Sequence, residues 1–204
     1  VINKAQYGFT PTDQRLGPAE YKLVFHGKNN RSAYTFCMCP GGTVVAATSE
    51  NNAVVVNGMS CYARNGSNAN SALVVNVTPK DFLSDDPLAG IFFQQQWEKK
   101  AFQIAGANFN APVQLVGDFI RGRQSRSVGC VEPTYRPGYT FTRLDRCLPD
   151  YVVETLREAL PVFERRLNGF AMHDAVLTGV ESRTSSPVQI VRDERGMTSI
   201  AGIY

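Results

Sequence analysis

The sequence predicts an α+β fold: a mostly antiparallel β-sheet or partial barrel with two helical segments packed against it. Three observations carry this. The first 80 residues hold five short apolar or alternating runs separated by Gly, Asn, Ser and Pro, the pattern of strands and turns. Two later stretches repeat apolar residues at steps of three and four, which is a helical period. Three further apolar runs after residue 174 read again as strands.

"EYKLVFH" (20–26) alternates and predicts the first strand, and "NNRS" the turn after it. "AYTFCMC" (33–39) predicts the second strand, because Tyr, Thr and Phe favour a pleated surface. Period 2 then sends Cys37 and Cys39 to one face, with Phe36 and Met38 on the other. Pro40, Gly41 and Gly42 predict a hairpin turn into a third strand, "TVVAAT" (43–48). "NAVVVNG" (52–58) and "SALVVNV" (71–77) complete the run of five, with "RNGSNAN" (64–70) as a loop.

Asp86 followed by Pro87 predicts a helix start, Gly106 its end, and Phe93, Trp97, Ala101 and Ile104 its apolar stripe over 87–105. "PVQLVGDFI" (112–120) reads as extended. Residues 121–143 lack a period and predict a long surface loop. A second helix is expected from Asp150 to Gly169, with Val152, Leu156, Leu160, Phe163 and Leu167 on one face and a kink or break at Pro161. The runs 175–182, 187–193 and 199–204 predict the final strands.

The charge of +3 is slight, and 43% of the residues are apolar, as in an ordinary globular domain. The basic run "RGRQSR" (121–126) reads as a solvated loop, which makes nucleic acid an unfavoured partner. No apolar segment reaches the ~20 residues of a membrane span. Residues 1–20 hold no apolar signal core, and the five cysteines show no disulfide framework, so the expectation is free thiols in a reducing cytoplasm. The chain opens at Val1 and closes on the apolar "TSIAGIY", which leads us to expect a piece of a longer polypeptide.

Two stretches are candidates for chemistry. Cys37 and Cys39 form a C-x-C, open to three readings: small buried side chains of a core strand, thiols facing a cofactor or substrate, or metal ligands. His26 and His173 are the only imidazoles and no C-x-x-C occurs, so no metal site is expected. In "GVESRTSSPV" (179–188), Arg183, Thr184, Ser185 and Ser186 gather one cation and three hydroxyls, suited either to a ligand or to a polar loop. No glycine fingerprint for a nucleotide and no complete catalytic constellation is present.

Five strings taken in order carry a resemblance: "YTFCMCPGG" (34–42), "VVNGMSCYARNGSNANSALVV" (55–75), "PLAGIFFQQQWEKKAF" (87–102), "APVQLVGDF" (111–119) and "AVLTGVESRTSSPVQIVRDE" (175–194). Together they resemble the FAD-dependent oxidoreductases described as NAD(FAD)-utilising dehydrogenases. The resemblance implies that residues 1–204 are one fragment: the inserted substrate or cap region, with about 195–204 belonging to the flavin-binding domain. It implies FAD in the full-length protein and not in this fragment by itself, with NAD(P) as electron donor or acceptor. The expected partners are the FAD-binding domain of the same polypeptide and a small-molecule substrate. It places Arg183, Thr184, Ser185 and Ser186 near the flavin, and Cys37, Cys39, Asn68 and Asn70 towards the substrate. The competing reading is a non-catalytic module binding protein or nucleic acid through 121–143.

Overall fold

The computed structural model describes Arg15 and residues 21–204. The elements run β1 (Val24–His26), β2 (Ser32–Cys39), β3 (Gly42–Ala46), β4 (Val56–Ser60), β5 (Asn70–Val75), α1 (Ala89–Ile104), β6 (Ala111–Leu115), α2 (Val116–Ile120), β7 (Tyr139–Phe141), α3 (Asp150–Arg166) and β8 (Val176–Thr178). Single 3₁₀ turns sit at Pro79–Phe82 and Leu144–Arg146.

The strands form three small sheets. β2 is central to the first, antiparallel to β1 and β5. β3 and β4 pair antiparallel as the second. In the third, β6 runs between β7, parallel to it, and β8, antiparallel to it. The architecture is therefore α+β with mostly antiparallel pairing and no closed barrel among the described residues.

The core lies between α3 and these sheets. Val153, Leu156, Ala159, Leu160 and Phe163 of α3 are buried together with Ala33, Val54, Val56, Ala101, Phe102 and Phe119. α3 runs as one helix with Pro161 inside it, so the expected break is corrected. The lost backbone bond costs about 3 kcal/mol. The fully enclosed Leu160 and Phe163 on either side of it offset that cost by ~1.5–3 kcal/mol each. The helix stops at Arg166, three residues short of Gly169, which takes a positive φ of 87° in the turn after the helix.

Other expectations are corrected for reasons of pairing. Pro40–Gly42 does turn the chain, but β2 and β3 belong to different sheets, so the turn is a passage between sheets and not a hairpin. Gly41 is required there: its φ is +59°, and a Cβ would run into the Arg64 backbone. The fourth strand starts at Val56, because the backbone before it is spent elsewhere: Val54 N–H donates to the Glu98 carbonyl at 3.1 Å. Asp86 caps two residues early, its Oδ1 accepting the Leu88 N–H at 2.7 Å, and Pro87 stays outside α1.

The segment 112–120 divides at Leu115 into a strand and a short helix. The segment 121–143 is not a plain surface loop. It contains β7, buries Ser125 and Tyr135, and is tied to β3 where the Val44 N–H donates to Thr134 Oγ1 at 2.8 Å. Residues 187–193 and 199–204 form bends, a short turn at 201–202 and irregular chain: apolar runs with no strand beside them to pair with do not become strands. Position 20 of the first predicted strand lies outside the described residues.

Candidate functional site

The C-x-C sits where β2 breaks its alternation. Cys37 has φ +48°, and the register with β5 slips between Phe36 and Cys39. The expected common face for the two thiols is therefore corrected, since a bulge inserts a residue and rotates the residues beyond it. Cys37 is exposed and Cys39 is buried, its Sγ lying 3.4 Å from the Cys37 carbonyl oxygen. Burial pushes the Cys39 thiol up, with the neighbouring Cys37 and Glu181 adding to that and a hydrogen bond with Ser60 opposing it. At neutral pH Cys39 is a protonated thiol. All five cysteines are free.

Asn70 is the register partner of Cys39 on β5. Both polar atoms of its amide are enclosed and have no hydrogen-bond partner. The amide rests against Gly58 of β4, where a Cβ would strike its Oδ1 and approach Cys39 Sγ to 3.5 Å. A glycine on β4 thus lets three strands converge on one amide and one thiol. Asn68 does something different: its Nδ2 donates to the Glu132 carbonyl at 2.9 Å and holds the 121–143 segment in place.

Arg183 is the centre of a clasp. Its Nε and Nη2 donate to the two oxygens of Glu98 at 2.9 and 2.7 Å, and Glu98 is fully buried. Ser182 Oγ donates to the same carboxylate at 2.5 Å. Nη1 reaches Ser49 and Nη2 reaches Glu50, which also accepts from Gln95. Gln94 Nε2 holds the Ser182 carbonyl at 2.7 Å. Burial alone would push the Glu98 carboxyl up, but the bonds from Arg183 and Ser182 bring it below the ordinary carboxylate range. Arg183, Ser185 and Ser186 line a cleft of about 340 Å³ against Ile91, Gln94 and Gln95 of α1. Thr184 is half-buried beside them.

Glu181 joins the two groups. It immediately precedes the clasp and lies within electrostatic reach of Cys39. It is partly enclosed, burial pushes its carboxyl up, and it has no ion-pair or hydrogen-bond partner among the described residues. Its backbone is fixed from both sides, by the Val56 N–H on the Val180 carbonyl at 2.9 Å and by the bonds at Ser182 and Arg183. Sequence reasoning missed both acids. Glu98 had a visible signal: it stands three and four residues before Ala101 and Phe102, on the face that is buried, where a charge demands a partner. Glu181 had no local signal, because its neighbours come from β2 and β4.

Among the described residues no three His, Cys, Asp or Glu side chains gather as a metal site, and no helix is long and apolar enough to cross a membrane.

Likeness to known proteins places this fold in a family. The profile of a family described as FAD-dependent protein, C-terminal domain-like matches residues 1–184, and the chain belongs to that family. It is 48% identical over 206 residues to an uncharacterized protein of Clostridium beijerinckii. The match takes in 100% of this chain and 39% of that protein's length.

Proposed function

We propose that this chain is the substrate-facing or cap part of an FAD-dependent dehydrogenase, inactive by itself and completed by the FAD-binding part of the same polypeptide. The face it offers to flavin and substrate carries Cys37, Cys39, Asn70 and Glu181, continued by Thr184, Ser185 and Ser186. Asn68 supports this face from behind by fixing the 121–143 segment. The observation that carries the reading is Glu181: a rigidly held, partly enclosed carboxyl with no partner among the described residues, within electrostatic reach of the buried Cys39 thiol. Such a group sits where a ligand completes its surroundings.

The residues fit the edge of a flat ring better than a pyrophosphate. The one cation of the 183–186 loop is matched by Glu98 and Glu50, while the Ser185 hydroxyl stays exposed at the cleft. FAD, when bound, supplies the two-electron chemistry. Glu181 would hold or release the substrate proton at its carboxyl, and the clasp would hold Glu181 in position. An NAD(P) donor or acceptor rests on the resemblance alone. We place the protein in the cytoplasm, where free thiols persist.

The test compares two proteins. In the isolated 204-residue chain, Cys37 should react quickly with a maleimide, and no flavin absorbance should survive gel filtration. In the FAD-loaded full-length protein, Cys37 should be protected and should regain reactivity when FAD is stripped. Equal labelling of Cys37 in all three states would remove this face from the flavin.

A further inference from the structure

α1 presents two nearly opposite faces to two clefts. Positions 91, 94 and 95 border the cleft beside Arg183, whereas 89, 92, 93, 96, 97 and 100 border a larger one of about 570 Å³. Its other wall comes from residues 81–84, 145–146 and 148–151. The size is that of a small-molecule site.

Five of its lining residues are aromatic: Phe82, Phe92, Phe93, Trp97 and Tyr151. Phe93 meets Phe82 at 5.5 Å and Trp97 at 6.1 Å between ring centres, so part of the wall is a continuous aromatic surface. Two polar atoms of lining residues, Trp97 Nε1 and the Tyr151 hydroxyl oxygen, are turned away from water and have no hydrogen-bond partner. That is a costly state for a donor, and it calls for an explanation other than packing.

The charges add a sign. Asp81 is bound by Arg31 at 2.5 and 2.9 Å, and Asp145 by Arg143 at 2.5 Å and Arg157 at 3.3 Å. Asp150 opens α3, where the backbone N–H groups favour a negative charge. Lys100 and Arg146 have no ion pair among the described residues, and the Lys100 ammonium lies only 4.1 Å from the centre of the Trp97 ring. The groups on this lining without a side-chain partner are therefore two cations, the Asp150 carboxylate at the start of α3, and two hydroxyl or indole donors around an aromatic wall.

We propose that this cleft binds a small planar aromatic carboxylate, its ring against Phe93 and Trp97 and its acid towards Lys100 and Arg146. The Trp97 and Tyr151 side chains turn to bring their shielded donors onto it as it enters. This does not rest on the flavin-facing reading, which uses the other face of α1.

The full-length protein is titrated calorimetrically with 2-naphthoate, and with 2-naphthamide as the uncharged match. One naphthoate should bind per chain, about tenfold more tightly than the amide. Lys100→Met should remove roughly that tenfold preference and leave amide binding unchanged. Tyr151→Phe should weaken naphthoate about five- to tenfold while Tm stays level or rises, because it deletes a buried polar atom that has no partner. A merely structural role predicts the reverse, a lower Tm and unchanged affinity. The proposal is overturned by no saturable binding at millimolar naphthoate, by equal affinity for the amide, or by an unaffected Lys100→Met variant. Displacement of FAD by naphthoate overturns it too, since the cleft would then belong to the flavin site.

Discussion

Replacing Arg183 by methionine tests the clasp that fixes Glu181. Methionine keeps much of the stem and removes the charge, so Glu98, fully buried, retains Ser182 and loses its bidentate partner. Removing one partner from a buried pair costs about 3–5 kcal/mol. The Arg183 side chain is 35% exposed, so water can enter the gap, and the lower end, about 3 kcal/mol, applies. At roughly 2–4 °C per kcal/mol for a chain of this size, Tm should fall by about 6–12 °C.

The pH dependence has a definite sign. In the wild type, hydrogen bonds outweigh burial and the Glu98 carboxyl is depressed. Its contribution is thus present above the unfolded value of about 4.3 and lost as pH falls through the folded one. In the variant, burial prevails and the folded value rises above the unfolded one, so the penalty grows as pH rises and fades as pH falls. The gap between the two proteins in urea unfolding should therefore narrow from pH 7 to pH 4.5. A gap below about 1 kcal/mol at pH 7, or one that widens towards acid, would refute the reasoning. Glu98→Leu combined with Arg183→Met should recover part of the loss, because no charge is left buried.

Gly41→Ala should destabilise by about 2–3 kcal/mol, combining a left-handed backbone with a clash against the Arg64 main chain; calorimetry showing no loss would contradict the passage between sheets. In native thiol titration of the isolated chain at pH 8, Cys147, whose thiol burial pushes up to about 12, should stay unmodified until unfolding, as should Cys39. Modification of Cys147 as fast as that of Cys37 would be inconsistent with its burial. Asn70→Ala should change stability by less than about 1 kcal/mol, since neither amide atom has a partner to lose. A drop beyond about 2 kcal/mol in chemical denaturation would mean that the amide is bonded within the chain.

The sequence by itself determined the class of fold and most of its elements. Strands β2, β3 and β5 and helices α1 and α3 were legible because each arises from a local period and a local stop, as with Cys39 before Pro40-Gly41 or Leu156 and Leu160 on one face of α3. The family was legible too, since whole strings in order specify it. Only the tertiary structure decided which strands pair. The Pro40–Gly42 turn looks the same from inside whether it closes a hairpin or crosses between sheets, and the apolar run 187–193 needs a neighbour that no local pattern can supply. The same holds for the site. Cys37 and Cys39 part company because β2 bulges against β5, and Arg183 is held because Glu98, 85 positions earlier, faces inward. Pairings at that separation are set by the packing of α1 against the 179–186 segment, and a local sequence period does not encode them.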